Sequence, residues 1–187
     1  DRIEAGTLVA AALITRGNVR ITGVDPGNLE STLEKLRETG AAIAVEGDAL
    51  AVVCEEPPRA IHVVTAPFPG YPTDMQAQIM ALLCLAEGSS VVTERVFENR
   101  FMHVPELQRL GADITLSGRS AHIRGVPRLM GAPVMATDLR ASAGLLVAAL
   151  AAEGDTVVNR VYHIDRGYER IEEKLRSLGG VVRREGA

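Results

Sequence analysis

The chain has 187 residues, 47% of them apolar, and a formal net charge of −4. That length and apolar fraction allow one substantial core, and the acidic balance excludes a basic nucleic-acid-binding domain. No apolar run is long and uncharged enough to cross a bilayer as a helix, and no stretch has the pattern of a secretory leader. Cys54 and Cys84 lie in apolar stretches and read as small buried hydrophobes, with no disulfide framework, which fits a reducing cytoplasm. The chain opens on Asp1 rather than Met, so it is expected to be a piece of a longer polypeptide.

Three segments share one plan. The first opens on Asp1-Arg-Ile-Glu-Ala-Gly-Thr7, then an Ala-rich apolar run to Ile14 and Gly17. A β-branched run over 19–21, a helix pattern over 33–40 and strands over 42–45 and 49–54 follow. A strand over 61–65 leads into the second segment. That segment has Thr73-Asp74-Met-Gln-Ala77, an apolar run to Ala86 and Gly88. It continues with a β-branched run over 91–93, a helix pattern over 107–111 and strands over 113–116 and 121–124, and a strand over 133–136 leads out of it. The third has Thr137-Asp138-Leu-Arg-Ala141, an apolar run to Ala152, Gly154, a β-branched pair at 157–158, a helix pattern over 171–179 and a strand over 181–183. Gly40, Gly111 and Gly179 end the second helix of each segment, 71 and 68 residues apart; glycine past a helix end has a steric cause, because it enters the left-handed region freely.

The expected fold is therefore α/β, one domain of three repeated units at about 1–66, 67–132 and 133–187. The runs over 8–14, 80–86 and 144–152 are apolar all round, which predicts three helices buried together with small sheets outside them. The third unit stops before its final strand. An open edge exposes unpaired backbone groups, so that strand is expected from elsewhere in the longer polypeptide.

The stretch Phe97-Glu-Asn-Arg-Phe-Met-His-Val-Pro-Glu-Leu107 concentrates two of the three Phe of the chain beside an Arg, a His and two carboxylates. Asp74 and Asp138 each follow a Thr at the start of an equivalent helix. One reading is structural: Thr caps the helix and Asp favours its positive end. Arg140 and Arg2 sit in first turns, where a cation opposes the helix dipole. They point to carboxylate or anion partners, with Asp138–Arg140 and Asp1–Arg2 as local pairs. Arg100 and Arg166 occupy equivalent loops of units two and three, Arg166 within residues 162–167, whereas Asp25-Pro-Gly-Asn28 of unit one has no Arg. Either they pair locally with Glu98 and Asp165, or two guanidinium forks converge on one anion. His103 and His163 have no partners at ligand spacing, so no metal site is expected. Neither a Walker loop nor a dinucleotide fingerprint occurs. Met75, Met80 and Met102 read as core fillers.

Several segments resemble one family: Asp1-Arg-Ile-Glu-x-Gly-Thr7, Thr65-Ala-Pro67, Pro72-Thr-Asp-Met-Gln-Ala-Gln78, residues 96–107, Met135-Ala-Thr-Asp-Leu-Arg-Ala-Ser142 and residues 161–171. They are similar to the catalytic domain of the UDP-N-acetylglucosamine 1-carboxyvinyltransferases, a branch of the enolpyruvyl transferases. The resemblance implies an inside-out α/β barrel and a cytoplasmic enzyme of peptidoglycan synthesis, hence of cell-wall biogenesis, cell shape and division. It implies transfer of enolpyruvate from phosphoenolpyruvate to the sugar 3′-hydroxyl with release of phosphate, without metal or other cofactor. It places Asp74 as base, Arg100 and Arg166 at the phosphoenolpyruvate anion with Asp138 and Arg140 nearby, and Val96 and Phe97 at the amino sugar. Arg166 joins Asp74 as a catalytic candidate. The resemblance also implies a partner domain and an N-terminal segment of the same enzyme, the missing strand among them, and no activity for this portion alone. Alternatives are the sister enzyme acting on 3-phosphoshikimate, or a noncatalytic module of the same repeat.

Overall fold

The computed structural model describes residues 1–186. Three helices, α1 (Arg2–Ile14), α3 (Gln76–Leu83) and α5 (Leu139–Ala151), pack against one another. α3 is buried along its whole length, and α1 is buried from Ile3 to Ile14 except at Glu4. Neither presents a polar stripe, and the all-round apolar sequence is what lets them lie inside. α5 is buried from Ala141 to Ala148 except at Leu146, with Leu139, Arg140, Leu146, Ala149, Leu150 and Ala151 half-covered.

Small residues set the helix spacing. A Cβ at Gly144 would lie 2.7 Å from the Ala77 carbonyl oxygen, and one at Gly6 would lie 2.9 Å from the Met75 sulfur. A buried polar knot ties all three repeats together: the Thr7 hydroxyl lies 3.0 Å from the Tyr168 hydroxyl, and the Gln78 amide donates to both, at 3.0 and 3.3 Å.

Sheets flank this bundle. β1 (Asn18–Thr22), β2 (Ala42–Glu46) and β3 (Ala49–Val53) form an antiparallel sheet in the order β1-β3-β2, with α2 (Glu30–Glu38) connecting β1 to β2. β4 (His62–Val64), β5 (Ser89–Thr93), β6 (Asp113–Ser117) and β7 (Ser120–Arg124) form the second, in the order β4-β5-β7-β6. β4 joins β5 in parallel, so the strand leading out of unit one completes the sheet of unit two. Where unit two leads into unit three the pairs are short: β8 (Leu129–Met130) with β10 (Ala152–Glu153), and β9 (Pro133–Met135) with β11 (Val157–Asn159).

The sequence expectations need four corrections. The strand expected over 181–183 is not formed; Val181 is fully exposed, and the segment has no strand neighbour among the described residues. Arg184 instead ties the segment down, with forks to Asp165 (2.7 and 3.0 Å) and Glu172 (2.9 Å). The hydrogen bonds from Arg184 hold both carboxyls below their usual range. The second helices of units one and two, α2 and α4 (Val104–Arg109), each start three residues earlier than expected; in α4, Pro105 fits the first turn, where its missing N–H costs nothing. The loop expected at 162–167 begins with a short helix, α6 (Tyr162–Asp165), before α7 (Ile171–Ser177). Met75 and Met80 are fully buried as core residues, but Met102 is 63% exposed.

Candidate active site

Asp1, Asp74 and Asp138 hold equivalent places in the three repeats, and they behave differently. Asp1 caps α1, accepting from the N–H groups of Ile3 and Glu4 at 2.6 and 3.1 Å. Asp138 caps α5, accepting from Arg140 and Ala141 at 2.9 Å each. Here Asp is itself the cap, not the Thr before it. Asp74 makes no cap bond. It lies in a 3-10 turn, Thr73–Met75, ahead of α3, and its carboxylate is held sideways between two cations. Arg100 donates to Oδ1 at 2.8 Å, and the Nε of Arg140 lies 3.4 Å from Oδ2.

Both cations come from distant sequence. Arg100 lies in the loop between β5 and α4, just after Asn99, which adopts φ +54°, a left-handed conformation Asn tolerates well. The Arg100 fork spans the Thr73 hydroxyl (2.7 Å) and Asp74, and its guanidinium lies 4.9 Å from the centre of the Phe97 ring. The Gln76 amide donates to the Arg100 carbonyl at 3.3 Å, fastening the loop to α3. Arg140 lies on the first turn of α5, with its guanidinium 5.6 Å from the Tyr168 ring centre. Its NH1 is buried without a hydrogen-bond partner among the described residues. A buried guanidinium donor left unpaired is costly, and an arriving anion would satisfy it.

The local pairs expected from sequence do not form. Arg140 and Arg100 both turn to Asp74 rather than to Asp138 and Glu98. Asp165 pairs with Arg184 rather than Arg166, and Arg2 lies over Phe68, 5.6 Å from its ring centre. Arg166 is exposed and has no ion pair among the described residues. The adjoining Gly167 packs on Leu139 at the start of α5, where a Cβ would meet the Leu139 side chain at 2.8 Å. That contact brings Arg166 to the end of α5 that carries Asp138 and Arg140. In unit one the equivalent loop borders an open depression of about 430 Å³ lined by Asp1, Arg2, Gly23, Val24, Asp25 and Asn28. Two carboxylates against one cation do not repeat the grip built around Asp74.

Two further residues escaped the sequence reading. Glu94, just past β5, is 1% exposed and accepts four hydrogen bonds. Burial alone would raise its carboxyl. Donation from the Phe97 N–H, the Thr65 and Thr73 hydroxyls and the Val96 N–H outweighs that and holds it below the usual range. Val96 is half-buried, and Phe97 is exposed beside Arg100. His103, treated from sequence only as a failed metal ligand, is buried with its Nε2 unpartnered. Burial pushes its pKa down to about 4; the Asp138 carboxylate opposes that shift and the Arg100 cation adds to it.

A folded pKa below the unfolded one means that the unfolded chain binds the extra proton. Stability should therefore be full above about pH 6.5 and fall as pH drops toward 4, by on the order of 1–3 kcal/mol from this group. Urea unfolding at a series of pH values should show a flatter dependence in that window for His103→Asn than for the parent. An unchanged slope would remove His103 from this account.

Cys54 and Cys84 are buried and free. Burial raises both thiols, Cys84 to about 12, so neither is a nucleophile at neutral pH. Among the described residues no group of three or more His, Cys, Asp or Glu is placed to hold a metal ion, and no helix is long and apolar enough to cross a membrane.

Known proteins share both this arrangement and this sequence. The chain is 60% identical over 187 residues to the UDP-N-acetylglucosamine 1-carboxyvinyltransferase of Anaeromyxobacter sp. (strain Fw109-5), and 58% identical over 189 residues to that of Myxococcus xanthus (strain DK1622). All of the chain is covered in each alignment, but it spans only 44% of the length of either relative. Among solved structures, the enolpyruvyl transferase NikO from Streptomyces tendae superposes with a TM-score of 0.89 at 32% identity, over 98% of this chain and 44% of that one. An EPSP synthase from Acinetobacter baumannii, 20% identical, shares the fold with a TM-score of 0.75, over 100% of this chain and 44% of that one. These neighbours make the helix-centred, sheet-flanked arrangement part of an inside-out α/β barrel of the enolpyruvyl transferase type. The sequence model of EPSP synthase (3-phosphoshikimate 1-carboxyvinyltransferase) matches residues 1–175, and the chain belongs to that family.

Proposed function

We propose that the full-length protein transfers enolpyruvate from phosphoenolpyruvate to the 3′-hydroxyl of UDP-N-acetylglucosamine, releasing phosphate, as a cytoplasmic enzyme of peptidoglycan synthesis. The carrying observation is that Asp74 gives up the capping role of its two equivalents and sits between Arg100 and Arg140. A carboxylate so held is oriented and partly accessible, as a general base requires. The proton of the sugar hydroxyl passes to Asp74 while its oxygen bonds to C2 of phosphoenolpyruvate and an acid protonates C3. Loss of a C3 proton then expels phosphate from C2. Arg100, Arg140 and Arg166 offset the charge of a substrate carrying both phosphate and carboxylate, with Asp138 fixing the start of the Arg140 helix. Val96 and Phe97 form the wall for the amino sugar. The acid, the remaining phosphate contacts and the strand that completes unit three belong to the rest of the same polypeptide.

The choice of sugar nucleotide over 3-phosphoshikimate rests on the relatives' names and on the 97–107 and 72–78 motifs. Full-length protein given phosphoenolpyruvate should release phosphate with UDP-N-acetylglucosamine and not with 3-phosphoshikimate. The reverse preference would transfer the assignment to the sister activity, and release with neither would leave a noncatalytic module.

A further inference from the structure

Glu94 is a buried carboxylate with no cation within ion-pair distance among the described residues, and its four hydrogen bonds divide unequally. Oε1 accepts from the Thr65 hydroxyl at 2.7 Å and from the N–H groups of Val96 and Phe97 at 2.7 and 3.0 Å. Those three bonds suffice to shape the turn after β5. Oε2 reaches away from that turn to the Thr73 hydroxyl at 2.8 Å, on the 3-10 turn that carries Asp74.

An ionised carboxylate only accepts, and a hydroxyl has one proton. The Thr73 proton is therefore committed to Glu94, and its lone pairs face outward. Arg100 NH1 donates to them at 2.7 Å while NH2 of the same fork donates to Asp74 Oδ1 at 2.8 Å. The direction of one hydroxyl thus decides whether the Arg100 fork meets an acceptor or another proton. The hydrogen bonds that hold the Glu94 carboxyl in its acceptor-only form serve the same end.

We propose that Glu94 and Thr73 are positioning residues: the buried Glu94 carboxylate orients the Thr73 hydroxyl, which seats the Arg100 guanidinium in register with Asp74. This inference rests on the reading of Asp74 and Arg100 as substrate-handling groups given above. Gln at 94 would place an amide N–H against Thr73 or against the N–H groups of Val96 and Phe97. In the first case the Thr73 proton turns toward Arg100, which has only donors to offer.

The test uses the full-length protein in four forms: Thr73→Val, Thr73→Ser, Glu94→Gln and the Val/Gln double variant. Thr73→Val keeps shape and removes the hydroxyl, so kcat/KM for phosphoenolpyruvate should fall about 10- to 100-fold, the scale of a misplacement near 1 Å. Affinity for the nucleotide sugar, measured by calorimetry, should be unchanged, and Thr73→Ser should restore the rate. Because both residues act through one chain, the double variant should lose no more than the worse single one; multiplied losses would mean independent structural roles.

Crystals of Thr73→Val should show Arg100 displaced from Asp74, a readout that needs no activity. Arg100 still seated on Asp74, with turnover intact, would overturn the relay. Absence of turnover in the parent protein would instead count against the proposed function, while the position of Arg100 in the variant still decides this inference. If Glu94→Gln fails to fold, the comparison of Val with Ser at the partly exposed Thr73 decides alone.

Discussion

Replacing Asp74 by Asn in the full-length protein should leave the melting temperature nearly unchanged and lower turnover by about 10² to 10⁴-fold, the usual worth of a positioned base. Asn has almost the same shape, but its amide does not accept a hydroxyl proton at neutral pH. Asp74 makes no cap bond, so no helix end is lost. What is lost is ion pairing with Arg100 and Arg140, in a place where the Asp74 side chain is 38% exposed. Ion pairs of that exposure contribute about 0–1 kcal/mol, far less than the catalytic loss. A thermal melt and a phosphate-release assay on one sample separate the two effects. Near-normal turnover would return Asp74 to a purely structural role.

The second large effect concerns the helix bundle. Gly144 of α5 faces the Ala77 backbone of α3 so closely that an added Cβ would sit 2.7 Å from the carbonyl oxygen and 2.8 Å from the carbonyl carbon. Ala in place of Gly normally favours a helix by about 1 kcal/mol. Here the clash is with backbone, which cannot rotate away as a side chain can. Gly144→Ala should therefore destabilise by about 1–3 kcal/mol, and Gly144→Val by about 3 kcal/mol or more, since overpacking must push two helices apart. Urea unfolding of the full-length protein reads this directly. A Val variant as stable as the parent would mean that α3 and α5 do not cross at this point.

The bundle was legible because its signal is local. Ala-rich runs without a polar face have only one place to go, and glycines in register mark where each second helix stops. The anion grip was half legible: Arg100 and Arg166 stand out by their equivalent positions, but their partners do not. Asp74 meets Arg100 and Arg140 across 26 and 66 residues of sequence, so the nearer Glu98 and Asp138 looked like the natural partners. Those local pairs lose out because Asp138 is spent on capping α5, whereas the turn at Thr73–Met75 leaves the Asp74 carboxylate free.

Glu94 was missed for a similar reason. Its hydroxyl donors, Thr65 and Thr73, lie 29 and 21 residues away. A usable sign existed in the alternation along β5, where Ser90 and Val92 point inward and Glu94 continues the same face. A charged residue on an inward face asks for donors, and Thr-rich flanks supply them. The strand expected over 181–183 failed on a different ground. Strand pattern in sequence states a preference, and a strand forms only where a neighbour offers its backbone.

The central claim is that the Asp74 carboxylate, held by Arg100 and Arg140, receives the proton of the acceptor hydroxyl. A crystal structure of the full-length protein with UDP-N-acetylglucosamine tests it most directly. The account predicts the sugar 3′-hydroxyl within about 2.6–3.2 Å of an Asp74 oxygen, with Phe97 alongside the sugar and the free face of Arg140 turned toward the phosphoenolpyruvate site. A bound sugar whose 3′-hydroxyl lies beyond hydrogen-bond reach of Asp74, with another carboxylate or a histidine in its place, would contradict it.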